Sequence, residues 1–205
     1  MGLSTYDELK DAIGAWLARP GDATLTPFVP AFIALAEARL NRRLRLRAME
    51  ARATLTLTGP LTALPADFLE VVSLRLAGGS RETLGYAPPV VLDAIDSRTP
   101  AGRPRVYTLT GDSLRVAPAP GAPCVAELAY LRRLPPLSAQ QPTNWLLAAA
   151  PDLYLYGALL EAAPFLMDDE RARLWQAAFE TAVQALVEAD ARDRTGAAAP
   201  AAVVA

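Results

Sequence analysis

TNWLLAAAPDLYLYGALLEAAPFLMDDERARLWQAAFETAVQALVEA, from Thr143 to Ala189, is the stretch that decides the fold. Leu153, Tyr156, Gly157 and Leu160 recur at helical spacing and give a first helix one apolar face. Pro151 suits the first turn of that helix, where a missing N–H leaves no hydrogen bond unmade. Pro164 is expected to stop or kink it. Asp168 then reads as the cap of a second helix, with Asp169 and Glu170 near the positive end of its dipole. In that helix Leu174/Trp175, Ala178/Phe179, Ala182/Val183 and Leu186/Val187 form a stripe every four residues. Two helices cannot cover such faces with each other alone, so the rest of the chain must supply partners.

The first fifty residues supply them. Thr5 and Glu8 spell a capping box, followed at helical spacing by Leu9, Ile13, Trp16 and Leu17. Pro20-Gly21 marks the end of this helix. Thr26-Pro27 opens a longer one with Phe28, Phe32, Leu35, Ala36, Leu40 and Leu44 on one side. From Ala53 the period changes to two. Thr54, Thr56 and Thr58 alternate with Leu55 and Leu57, and Val72, Leu74 and Leu76 alternate with Ser73 and Arg75 before Gly78-Gly79 turns the chain. Pro88-Pro89 introduces a short helix carrying Leu92 and Ile95. Residues 105–110 and 113–116 read as a hairpin about Gly111-Asp112. Ala126, Leu128 and Tyr130 make one face of a last strand. The predicted class is α+β. Residues 1–50 and 143–194 form a helical bundle, 51–142 an inserted antiparallel β lobe, and 195–205 an extended C-terminal tail.

Composition removes most chemistry. The chain has 205 residues, a net charge of −2 and no histidine. Without histidine there is no Ser-His or Cys-His nucleophile pair, nor the commonest metal ligand. Gly111-Asp112-Ser113-Leu114 matches the signature of a family of serine esterases, but nothing downstream can take the serine proton, and the letters serve as a turn. Cys124 is the lone cysteine and has no basic neighbour in sequence to activate it. Asp168-Asp169-Glu170 is accounted for by the helix dipole without a metal, and Lys10, the one lysine, stands in no phosphate loop. No catalytic residue, cofactor or metal is expected. Leu146–Met167 is long enough to span a bilayer but contains Asp152, Glu161 and two prolines. A charge near the centre of such a helix costs ~3 kcal/mol, so no membrane is expected either. The acidic, polar N-terminus is not a signal peptide.

One charge concentration stands out: Arg39, Arg42, Arg43, Arg45, Arg47 and Arg52, at and beyond the end of the second helix. Three readings of it stay open. It is a solvated face near a helix C-terminus, a docking surface for acidic groups of a neighbouring subunit, or a contact for DNA phosphates. Beyond Thr195-Gly196 the tail has no amphipathic period, although Ala201, Ala202, Val203 and Val204 have some strand character.

Five segments carry a resemblance to a known family. They are TYDELKDAIGAWLAR, FIALAEARLNRRLRLRAMEARATL, LPADFLEVVSLRL, GRPRVYTLTGDSLRVAPAP and PTNWLLAAAPDLYLYGALLEAAPFLMDDERARLWQAAFETAVQAL. Together and in order they resemble the head–tail adaptor (connector) proteins of tailed bacteriophages and prophages. The resemblance implies a structural, non-enzymatic virion protein. Such a protein forms a dodecameric ring under the portal protein, extends the DNA channel and docks the next tail or nozzle protein. Its implied partners are the portal, neighbouring adaptor subunits and passing double-stranded DNA bound without sequence specificity. Arg39, Arg42, Arg43, Arg45 and Arg47, with Ala201, Ala202, Val203 and Val204, are the candidates for its subunit or portal interface. The alternative is a DNA-binding packaging accessory using the Arg39–Arg52 cluster.

Overall fold

The computed structural model describes residues 2–78, 82–167 and 169–196. It is α+β and divides into two units, one of Met1–Ala48 with Leu134–Ala205 and one of Met49–Arg133. The segment 134–142, placed in the lobe by sequence, thus belongs with the helices.

The helical unit starts with α1 (Tyr6–Trp16), whose capping box is formed. Glu8 N–H donates to Thr5 Oγ1, and Thr5 N–H to the Glu8 carboxylate. Leu9, Ile13 and Leu17 are buried. The helix ends four residues before Pro20, where Ala18 takes a left-handed backbone with φ 55°. After a 3-10 turn at Thr26–Phe28 comes α2 (Val29–Arg43), which buries Val29, Phe32, Ile33, Ala36 and Leu40.

The decisive stretch contains three helices rather than two. Asn144 caps α4 (Trp145–Ala149), and Ala150 breaks out at φ −146°, ψ 70° before α5 (Pro151–Leu166). The break is Pro151's doing, because a residue preceding proline is pushed away from helical backbone. Pro164, expected to stop or kink the helix, lies inside α5, which ends only at Met167 with φ 53°. Asp168 lies outside the described residues. α6 (Asp169–Gly196) buries Trp175, Phe179 and Val183 at four-residue intervals. At ~2 kcal/mol per large apolar side chain, that stripe anchors α6 to α5. At Gly157 α5 lies close against α2 and α6: a Cβ built there would sit 3.1 Å from Ala36 Cβ and 3.4 Å from Phe179 Cε2.

The second unit holds two sheets. In the first, β1 (Glu50–Leu57) and β3 (Phe68–Leu76) flank β7 (Cys124–Arg132), all antiparallel. In the second, β2 (Leu61–Ala63), β6 (Ser113–Ala117), β5 (Val106–Thr110) and β4 (Gly85–Tyr86) lie in that order, with β4 parallel to β5. The lobe is therefore not purely antiparallel. Leu55, Leu57, Leu74, Leu76, Leu114, Val116, Ala126, Leu128 and Tyr130 share one core. Val72 departs from the expected alternation and faces out, because the register with β7 slips between Val71 and Ser73. The short helix α3 (Pro89–Asp96) buries Leu92 and pairs Asp93 and Asp96 with Arg115 of β6.

Candidate functional site

At the C-terminal end of α2, Arg42 and Arg43 sit in the last turn, where the helix dipole is negative. The arginines at and beyond this end do three jobs. Arg39 reaches α5, with Nε 2.7 Å and Nη2 2.6 Å from Glu161 Oε1. Arg43 grips Glu180 of α6 through both guanidinium nitrogens, and Gln176 Nε2 adds a third donor at 2.6 Å. The Arg43 guanidinium holds the Glu180 carboxyl below its usual range. Arg45 donates to the backbone oxygens of Asn41 and Leu44, which α2 leaves unpaired at its end. Arg47 N–H donates to Asp190 Oδ1 at 2.9 Å, and its Nη2 lies 3.2 Å from Asp193 Oδ2.

Arg42 is different. It is exposed and has no ion-pair partner among the described residues. Arg52 belongs to the other unit, on the outer face of β1. With Thr54, Ser73, Arg75 and Glu127 it lines a shallow cavity of ≈ 320 Å³. Ala201, Ala202, Val203 and Val204 lie outside the described residues.

A second polar cluster, missed by sequence reading, fixes the segment that leads into α4. Glu37 on α2 is 7% exposed. Its Oε1 accepts the Leu137 N–H at 2.7 Å and the Tyr154 hydroxyl at 3.3 Å. Asn144 Nδ2 donates to that same hydroxyl at 2.5 Å and to Pro135 O at 2.8 Å, while Asn144 Oδ1 caps α4. Burial pushes the Glu37 carboxyl up from its ordinary range, against the pull of its two hydrogen bonds. Tyr154 is pushed up for the same reason and stays a neutral phenol. The hydrogen bonds of Glu37 Oε1, Tyr154 and Asn144 are all made within the protein. It is joinery, not a reaction centre.

The esterase-like letters fall on the β5–β6 turn, where Gly111 has φ 58° and Asp112 O accepts the Leu64 N–H. Ser113 simply opens β6. Cys124 opens β7 as a half-buried free thiol.

A family model described as SU10 adaptor protein matches residues 4–204, nearly the whole chain and both units. The chain belongs to the SU10 adaptor protein family. No curated protein matches it. The family is one of bacteriophage adaptors, structural proteins of the virion rather than enzymes. Among the described residues of this adaptor, no helix is long and apolar enough to cross a membrane. Glu161 is noted in the sequence only as a charge within Leu146–Met167; the other acids that meet the arginines, Glu180, Asp190 and Asp193, carry no mark there. Their one signal was acidic residues recurring along the last helix.

Proposed function

We propose that this adaptor forms a ring, dodecameric as the family resemblance implies, beneath the portal of the filled capsid. There it extends the DNA channel and presents a surface to the next tail or nozzle protein. The observation that carries this reading is the family match over residues 4–204. The absence of histidine accords with structural work. The protein is made in the host cytoplasm and ends at the head–tail interface, where double-stranded DNA passes without sequence-specific binding.

Within this reading Arg39, Arg43 and Arg47 fix the end of α2 through their in-chain pairs, and Arg42 and Arg45 face a neighbouring subunit or the portal. The Ala201–Val204 segment adds backbone hydrogen bonds along a partner's groove or sheet edge. The DNA-binding alternative would have to break the same in-chain pairs to free the guanidinium groups for phosphates, which weighs against it.

Low-resolution imaging of the protein mixed with its portal tests the proposal, with a closed ring on the portal as the expected result. Deleting residues from Ala197 onward should leave the melting temperature unchanged and weaken attachment. Affinity for bare duplex DNA that falls steeply with salt, with no ring on the portal, would favour the packaging accessory instead.

A further inference from the structure

α2 buries one side and turns the opposite side outward. That outer side carries Ala31, Leu35, Ala38 and Arg42, and Phe28, in the 3-10 turn just before α2 and with its ring also against Phe165, extends the row, in steps of three, four, three and four residues. Phe28 is 46% exposed and Leu35 50%, and Arg42, which has no ion-pair partner among the described residues, ends the row. Isolated exposed apolar residues are ordinary, but this spacing is that of a seam that packs along another helix.

α6 carries a row with the same steps. Leu174, Ala177, Thr181, Gln184 and Glu188 lie opposite the buried Trp175, Phe179 and Val183, and Leu174 is 68% exposed. Both rows span fifteen residues, fourteen rises or about 21 Å at 1.5 Å per residue. Laid side by side in the same direction, Phe28 meets Leu174, Ala31 meets Ala177 and Arg42 meets Glu188. Reversing one row would set Phe28 against Glu188 and leave Arg42 beside Leu174.

Direction is fixed within one chain. Ala36 of α2 and Phe179 of α6 both close on Gly157, Arg43 at the end of α2 meets Glu180, and Arg47 just beyond α2 meets Asp190, so the two helices run the same way. Rotation about an axis along the helices preserves that sense, so a neighbour in a ring offers its row in the matching direction. The geometry points to a contact between two copies of this chain. The outer row of α2 on one copy lies against the outer row of α6 on the next, and Arg42 pairs with Glu188 at one end. Because the two patches differ, the contact is head-to-tail and propagates from copy to copy, as a ring requires. It rests on the ring reading above and names the surface that builds the ring.

Disulfide trapping tests it. Leu35→Cys and Thr181→Cys are placed together in a Cys124→Ser background, and the concentrated protein is oxidised. The expected product is a ladder of covalent multimers from the double variant, with neither single variant passing beyond dimer. Adding Arg42→Glu should reduce the ladder several-fold, and adding Glu188→Arg as well should restore it. Dimers alone, a crosslink within one chain, or no recovery on charge exchange would overturn the assignment. Sedimentation of the wild-type chain, run with and without portal, separates the two readings. Self-association or a portal-bound ring without a ladder removes this surface and leaves the ring, whereas no ring on the portal and no ladder removes both.

Discussion

Replacing Glu37 tests the buried polar cluster, and the two replacements should behave differently. Glu37→Ala strips the Leu137 N–H of its acceptor at 2.7 Å and the Tyr154 hydroxyl of its acceptor at 3.3 Å. A buried donor left without a partner costs about 1–3 kcal/mol. The methylene lost from a site only 7% exposed adds about 1 kcal/mol. We therefore expect Glu37→Ala to lose about 2–4 kcal/mol. Glu37→Gln keeps an oxygen for both donors and removes the buried charge, so near neutral pH it should match or exceed the wild type. The pH dependence gives the sharper signature. Burial raises the Glu37 pKa above the ordinary 4.5, so between the unfolded and folded values the native state binds more protons. The group's contribution to stability is therefore complete at low pH and lost as pH rises through the folded pKa. Urea denaturation of wild type and Glu37→Gln from pH 4 upward isolates this term, because the other titrations cancel in the difference. The difference should grow in favour of Gln with rising pH and then level off. Parallel curves across the range, or an alanine variant as stable as the glutamine one, would refute the reasoning.

At Gly157, alanine gains roughly 1 kcal/mol of helix propensity while asking Ala36, 3.1 Å from the new Cβ, to move slightly. The Gly157→Ala melt should stay near wild type, and Gly157→Val should lose about 3 kcal/mol by overpacking against Ala36 and Phe179. Arg39→Ala should cost more than Arg43→Ala in denaturant titrations, because Glu161 is only 17% exposed and Glu180 36%. The more exposed pair should be worth under about 1 kcal/mol and weaken with salt. Ser113→Ala should leave the fold and particle assembly unchanged, since the hydroxyl opens a strand; lost phage infectivity with an intact melt would contradict the turn assignment.

Features governed by neighbours in sequence were legible. The Thr5–Glu8 capping box, the Gly111-Asp112 hairpin and the Pro88-Pro89 helix start each depend on a few adjacent residues, and the structure contains all three. Period reveals which residues share a face, not which face is covered. Leu35 and Leu174 sit in predicted apolar stripes, yet they point outward because the covered arc is narrower than the apolar one, and Trp16 stays half exposed with its ring edge against Tyr156. Val72 went astray for a cross-strand reason, a register slip invisible within one strand. Glu37 looked like any helix-surface acid, since its partners at Leu137 and Tyr154 lie 100 and 117 positions away. The arginine cluster was plain in sequence. Its acidic partners were not paired with it, because nothing local joins Arg43 to Glu180.

The place where the chain leaves and re-enters the helical unit has a consequence for how the protein can vary. Asn41, near the end of α2, accepts the N–H of Leu134 through Oδ1 at 2.8 Å, so the returning strand is tied down beside the point of departure. The β unit closes its own ends as well, with Glu50 opposite Leu131 on adjacent strands. To the helices, everything between is one long loop whose ends already touch. Lengthening such a loop is inexpensive, about 0.6 kcal/mol for each doubling. The lobe can therefore be enlarged, trimmed or exchanged for one that fits a different neighbour while the helices keep their packing. In such an architecture the helical unit and the lobe it carries are free to evolve at different rates.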